Sequence, residues 1–190
     1  MSTKPGTSHS PAGAPRPTAL ERYADGHPQA KAFLAAPKPA PASFSAQPYF
    51  SVNTFKFSNA AGAITYGRYR MMPVGPSHYL DALRRSTAAP DYLRTEMAAR
   101  VHSGPVLMLL QLQIAEAGDA LDDPSIAWPA SRRVVDLGVL SMTALVAHAD
   151  QREHSVVFMP DELPDGIESN DPMVKERSRA YAESFERRGR

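Results

Sequence analysis

Two neighbouring stretches, PYFSVNTFKFS at residues 48–58 and AITYGRYRMMPV at residues 63–74, carry the reading of the fold. Both are aromatic and β-branched, and Phe55 and Phe57 stand at period two. Only Asn59-Ala60-Ala61-Gly62 separates them. Two strand-like runs around a short Asn/Gly turn predict a β-hairpin. Downstream, PVLMLLQLQIAE at 105–116 reads as another strand, with Leu110, Leu112 and Ile114 on one face and Gln111 and Gln113 on the other. Residues 133–146 give a further strand in which Val135, Leu137 and Val139 alternate, and 155–159, SVVFM, reads as a short extended run. Between hairpin and strand, 77–86 and 90–102 read as helices. In the second, Pro90 suits the first turn, and Leu93, Met97 and Val101 recur every four residues. A helix over 172–188 closes the chain, with Asn170 or Asp171 as its cap and Pro172 in its first turn. The class is therefore α+β: an antiparallel sheet of about four strands with a C-terminal helix docked on it. Four strands do not close a barrel, so two sheet edges are expected to stand open.

Upstream of the hairpin the chain changes character. Residues 1–17 are rich in Ser, Pro, Gly and Thr, with no acidic and no large apolar residue, which predicts a disordered tail. Residues 18–36 read as two short helical pieces broken at Gly26-His27-Pro28, and PKPAPAS at 37–43 as a stiff linker. The domain is thus expected over 18–190. Its 190 residues hold 21 Lys+Arg against 20 Asp+Glu, a net +1, so no charge imbalance points to nucleic acid or an anionic membrane. The absence of cysteine excludes disulfides, thiolate zinc sites, iron–sulfur clusters and a cysteine nucleophile. No apolar run nears the roughly 20 residues that span a bilayer, and the start has no signal-like apolar region; the expected location is cytoplasmic.

The C-terminal helix carries the sequence's most specific chemistry. Arg177 and Tyr181 lie four apart, one turn along the same face. Met173 lies four before Arg177, and Arg188 lies seven past Tyr181, about two turns on. An arginine beside a phenol favours the phenolate by charge and hydrogen bonding. A phenolate is a hard ligand for ferric iron, and tyrosine is one of the proximal haem ligands in use. A second arginine can pair with a propionate. Taken alone, the same pattern also suits an ordinary amphipathic helix with a buried tyrosine and solvated arginines.

The order of pieces before that helix is more specific. IAWP (126–129), LGVL (137–140), LPDGIE (163–168) and then Arg177-x-x-x-Tyr181 follow one another. This resembles the C-terminal half of the haem barrel of the catalase superfamily, and in particular the small catalase-related peroxidases. QPYFSVNTFKFSNAAG (47–62) and YGRYR (66–70) resemble the same family's hairpin, so the likeness runs over about 23–190. One position departs: Met159 stands where the family's Phe-Asp-Pro loop has aspartate. The resemblance implies half of a catalase-like haem β-barrel with short helices and a C-terminal helix bearing the proximal tyrosine. It implies Tyr181 as the iron ligand, Arg177 as its hydrogen-bond partner, Arg188 at a propionate, and Phe158 and Met173 lining the haem face. Protoporphyrin haem is the implied cofactor and a peroxide the implied substrate, decomposed or used for oxidation.

The family's distal histidine strand, of the form Arg-x-x-His-Ala-x-Gly, and its distal asparagine have no counterpart here, so no catalytic residue is assigned. The expectation is a catalase-related haem peroxidase without the N-terminal distal half. The alternatives are a non-catalytic half-barrel binding or assembly module, or one half of a split haem enzyme. A homo-oligomer or a complementing distal-half chain would be the protein partner; no nucleic acid and no membrane is expected. Arg100-Val101-His102-Ser103-Gly104 copies the distal motif only superficially, since it closes a predicted helix. His78 reads as a surface or capping residue. His148 and His154 flank a polar loop and match no common metal spacing. His9 and His27 sit in tail and turn. There is no P-loop, G-x-S-x-G or H-E-x-x-H. Asp122-Asp123 before Pro124 reads as a turn, and Glu176, Glu183 and Glu186 interleave the C-terminal basic cluster.

Overall fold

A computed structural model of the chain describes residues 17–169 and 171–188. Residues 1–16 of the expected 1–17 tail and the candidate cap Asn170 lie outside the described residues. The chain divides into two compact units, Met1–Ala40 and Pro41–Arg190. In the first, α1 (Ala19–Gly26) and α2 (Pro28–Ala35) form the two predicted pieces. Thr18 and Glu21 make a reciprocal capping box at the start of α1, and Pro28 opens α2. Between them His27 stacks on Tyr23 at 3.8 Å.

The second unit is built on one antiparallel sheet. Its strands are β1 (Tyr49–Phe50), β2 (Phe55–Ser58), β3 (Ile64–Pro73), β4 (Val106–Ile114), β5 (Val134–Met142) and β6 (Ile167–Ser169). The order is β5-β4-β3-β2-β6, and β1 shares the β2 side of β3. The predicted hairpin is β2–β3. Asn59 Oδ1 accepts from the amides of Ala61 and Ala63, and Gly62 takes φ +79. The sheet has six strands rather than about four. The additional ones are the two-residue β1 and the three-residue β6, too short to show a period of their own.

Register sorts the side chains. Tyr69, Met71, Met108, Leu110 and Leu112 share one face with Phe55 and Phe57. There Val106, Met108 and Leu112 are buried, and Phe55 and Phe57 meet the Tyr69 ring at 5.2 and 5.8 Å. The opposite face carries Arg68, Arg70, Leu107, Leu109, Gln111 and Gln113. β5 contains an irregularity that its pattern did not signal. Leu110 pairs with Gly138 but Gln111 with Asp136, so Leu137 is an extra residue. As a result Val135, opposite Leu112, and Val139, opposite Leu109, lie on different faces.

Two further expectations shift. The first predicted helix is confined to α3 (Ala82–Thr87), because Asp81 rather than an earlier residue accepts from the Arg84 amide and caps it; Tyr79 instead bridges to Pro41. Residues 155–159 form no strand. Residues 149–155 make the helix α5 (Ala149–Ser155) after His148 at φ 56, and Val156–Met159 run on unpaired. The stretch is rich in polar helix formers, and no neighbouring strand offers it a ladder. The helix α4 (Tyr92–Ser103) buries Val101 as its spacing predicts, with His102 exposed at its end. The final helix, α6 (Pro172–Arg188), has the predicted limits.

Candidate functional site: the Arg177–Tyr181 face of the last helix

α6 is held against the sheet at its beginning. Asp171 accepts from the Met173 amide at 2.9 Å and is itself buried. Its other carboxylate oxygen accepts from Asn53 Nδ2. Along the helix Val174 and Ser178 are the buried positions, and Ser178 Oγ donates to Asp161. Tyr181, seven residues past Val174, lies at the edge of that buried stripe, while Met173 and Arg177 lie farther round the helix. Met173 is 53% exposed and Tyr181 36% exposed.

The predicted pair is in contact. Arg177 Nη2 donates to Tyr181 Oη at 2.8 Å, with the guanidinium carbon 5.5 Å from the ring centre. Arg177 Nη1 donates to Asn53 Oδ1 at 3.3 Å. Asn53 thus accepts from Arg177 through its oxygen and donates to Asp171 through its nitrogen. A guanidinium offers only donors, so Tyr181 Oη is the acceptor here. Two of the other expected residues stand apart from this chain of bonds. Arg188 lies over the Phe185 ring at 5.6 Å, and Phe158 is 82% exposed.

The donor set fits a ferric porphyrin. A hard phenol oxygen is partly exposed, a guanidinium is bonded to it, and the apolar Met173 stands one turn before that guanidinium on the helix. Among the described residues no group of three His, Cys, Asp or Glu is placed to hold a metal ion.

Beside Asn53 a second network anchors the strand from below. Thr54 is buried, and its Oγ1 accepts from Arg68 Nε at 3.1 Å. Arg68, 5% exposed, also donates to the carbonyls of Ile126 at 2.8 Å and of Ala120 and Asp123 at 3.3 Å. Its guanidinium stacks on Trp128 at 4.3 Å, whose Nε1 donates to Ala120 at 2.8 Å. Burial pushes the Arg68 guanidinium below its ordinary range and the Tyr69 phenol above its own. The Trp-Pro turn singled out in the sequence is therefore a lid on Arg68. Sequence reasoning missed Asn53 and Arg68. The only available signal for Asn53 was its place in the Tyr-Phe-Ser-Val-Asn hairpin motif.

Comparison with known proteins bears on the chain's family and fold. A family model described as catalase matches residues 27–189. A catalase-related peroxidase of Synechococcus elongatus is 31% identical over 182 residues, covering 94% of this chain and 53% of that protein. One of Mycolicibacterium paratuberculosis is 34% identical over 149 residues, covering 78% and 47%. The chain spans about half the length of these curated relatives. Among solved structures, a bacterial catalase superposes with a TM-score of 0.73 at 18% identity, over 86% of this chain and 35% of that one. Catalase A of Saccharomyces cerevisiae gives 0.68, also at 18%, over 76% and 32%. These structural likenesses bear on the fold; the family model bears on descent. The chain belongs to the catalase family.

Proposed function

We propose that this chain forms the proximal wall of a haem site in a catalase-related peroxidase. Tyr181 would hold the iron, Arg177 would neutralise and orient its phenolate, Arg188 would meet a propionate, and Met173 and Phe158 would line the ring. Haem so held supplies the redox chemistry for decomposing a peroxide or using it as oxidant. The chain's own residues prepare the ligand. Arg177 donates to the oxygen at 2.8 Å and so sets a cation against the atom that would bind the iron. Asn53 and Asp171 fix the guanidinium in that position. The hydrogen bond from Arg177 to Tyr181 is the observation that carries this reading. We assign no residue of this chain to proton transfer at the peroxide. That role falls to polypeptide outside this segment, in the same molecule or in a complementing one.

The test is a hemin titration of the chain followed in the Soret region. The wild type should give a saturable, shifted band at one equivalent. Tyr181→Phe keeps the ring and its packing but removes the ligand, and should lose that band. Identical spectra from both would reject Tyr181 as the ligand.

A further inference from the structure

A cavity that shares no residue with the Arg177–Tyr181 face opens where the end of β3 meets the start of β4. It measures about 580 Å³ and lies between the 3₁₀ turn Phe44–Ala46, the loop that follows β3, Arg84 of α3 and Arg100 near the end of α4. That volume falls in the range of small-molecule sites. Backbone bonds fix its walls. The His78 amide donates to the Ala46 carbonyl at 2.9 Å, and the Ala42 amide donates to the His78 carbonyl at 2.9 Å. Most of the lining is aliphatic, and Ala46 and Val106 within it are buried. Among the described residues no carboxylate lines the cavity, whereas two guanidinium groups do.

One hydroxyl proton is left over beside this cavity. Ser43 is fully buried and Ser45 is 9% exposed. The Ser45 amide donates to Ser43 Oγ at 3.2 Å, and the two hydroxyls stand 3.1 Å apart. Two hydroxyls hold two protons, and the bond between them uses one. If Ser45 supplied it, the Ser43 proton would be sealed in without an acceptor, which costs free energy. Ser43 therefore donates and Ser45 accepts. The proton without a partner is that of Ser45, and of the two residues only Ser45 lines the cavity. The arginines keep donors in reserve as well. Arg84 Nε stands 3.7 Å from Asp81, beyond hydrogen-bond reach. Arg100 engages Glu96 through Nε at 2.7 Å and through Nη2, and its Nη1 meets no acceptor among the described residues.

We propose that this cavity is a binding site for a small aliphatic carboxylate. A buried hydroxyl proton and two cations call for an acceptor that carries negative charge. The aliphatic walls call for an apolar body behind that head group. A carboxylate has two oxygens, enough to accept from Ser45 and from a guanidinium. It also carries a single charge, so bringing it against apolar walls costs less than bringing in a doubly charged phosphate. The site does not rest on the haem reading, because none of its residues belongs to the Tyr181 network.

Isothermal titration calorimetry of the chain with octanoate tests it. The wild type should bind octanoate saturably at about one equivalent. Octanamide, of the same shape but uncharged, should bind about tenfold or more weakly, and inorganic phosphate should not displace octanoate. Arg84→Gln combined with Arg100→Gln should weaken octanoate binding by about tenfold or more, and Ser45→Ala by about threefold or more. Circular dichroism confirms that each variant is folded; if Ser45→Ala, which orphans the Ser43 proton, does not fold, the arginine variant decides. Tyr181→Phe should bind octanoate as the wild type does. A wild type that takes up no octanoate overturns the proposal. So does equal affinity for octanamide, displacement by phosphate, or a folded arginine variant that binds unchanged. Loss of binding in Tyr181→Phe would place the carboxylate at the last helix instead and overturn it too.

Discussion

Asn53 does two jobs with one side chain. Its amide nitrogen donates to Asp171, the residue that caps α6, and its oxygen receives Arg177. The cap and the tyrosine's cation are thereby tied to one point beside the hairpin. Groups that orient a ligand in this way typically account for about 10–100-fold in affinity. Asn53→Leu keeps the volume but offers neither bond. It should lower hemin affinity by about tenfold while Tyr181 stays in place, as measured by the same Soret titration. An unchanged affinity would mean that α6 alone positions Arg177. The pair Arg177–Tyr181 was legible in the sequence because i,i+4 spacing on a helix guarantees proximity. Asn53 was not, because it stands 124 residues from Arg177 and only folding brings them together.

Elements tell a similar story. The limits of α6, the hairpin and β4 follow from caps, turns and alternation, each a property of a few neighbouring residues. β6 does not follow from such rules. It is a strand because β2 offers it an edge, with Phe55 opposite Ser169 and Phe57 opposite Ile167. Its entry depends on Gly166, which takes φ +82 and comes so close to β2 that an added Cβ would lie 2.8 Å from the Ser58 carbonyl oxygen. That same oxygen belongs to the residue whose amide donates to Gly166 at 2.8 Å. Gly166→Ala should therefore destabilise the fold by about 1–3 kcal/mol through backbone strain and this contact. Gly75→Ala, which meets nothing within 4 Å, is the control. Urea unfolding midpoints of the two variants check this. The extra residue at Leu137 in β5 was equally invisible, since a bulge leaves the composition of a strand unchanged.

On the scale of the whole molecule, the loop that covers Arg68 is braced by Arg132. Its guanidinium bonds Asp119 at 3.0 Å and Glu116 at 2.7 Å. The hydrogen bond from Arg132, and then that from the Glu116 amide, hold the Asp119 carboxyl below its ordinary range. In the unfolded chain the group returns to about 3.9. The unfolded state thus binds the proton first as pH falls, so this contribution is complete above about pH 4 and is lost as pH drops through the lower, folded value. Asp119→Asn removes it. The variant should be less stable than wild type at pH 7, and the gap should close below about pH 4. Urea titrations across that range measure the gap; one that stays constant with pH would show that the carboxylate's charge is not what matters.

By itself, the sequence determined the α+β class, the hairpin, the final helix and the stripe that sets Arg177 against Tyr181. It also carried the ordered motifs of the catalase family. These rest on periods of two and 3.6 residues and on caps, which act over a single turn. Only the tertiary structure decided that Asn53 orients Arg177, that Arg68 is buried under the Trp128 turn, and that Ser45, Arg84 and Arg100 line one cavity. Each of those depends on which distant segments are brought side by side. Once the backbone is closed, desolvation then settles which charges must be paired.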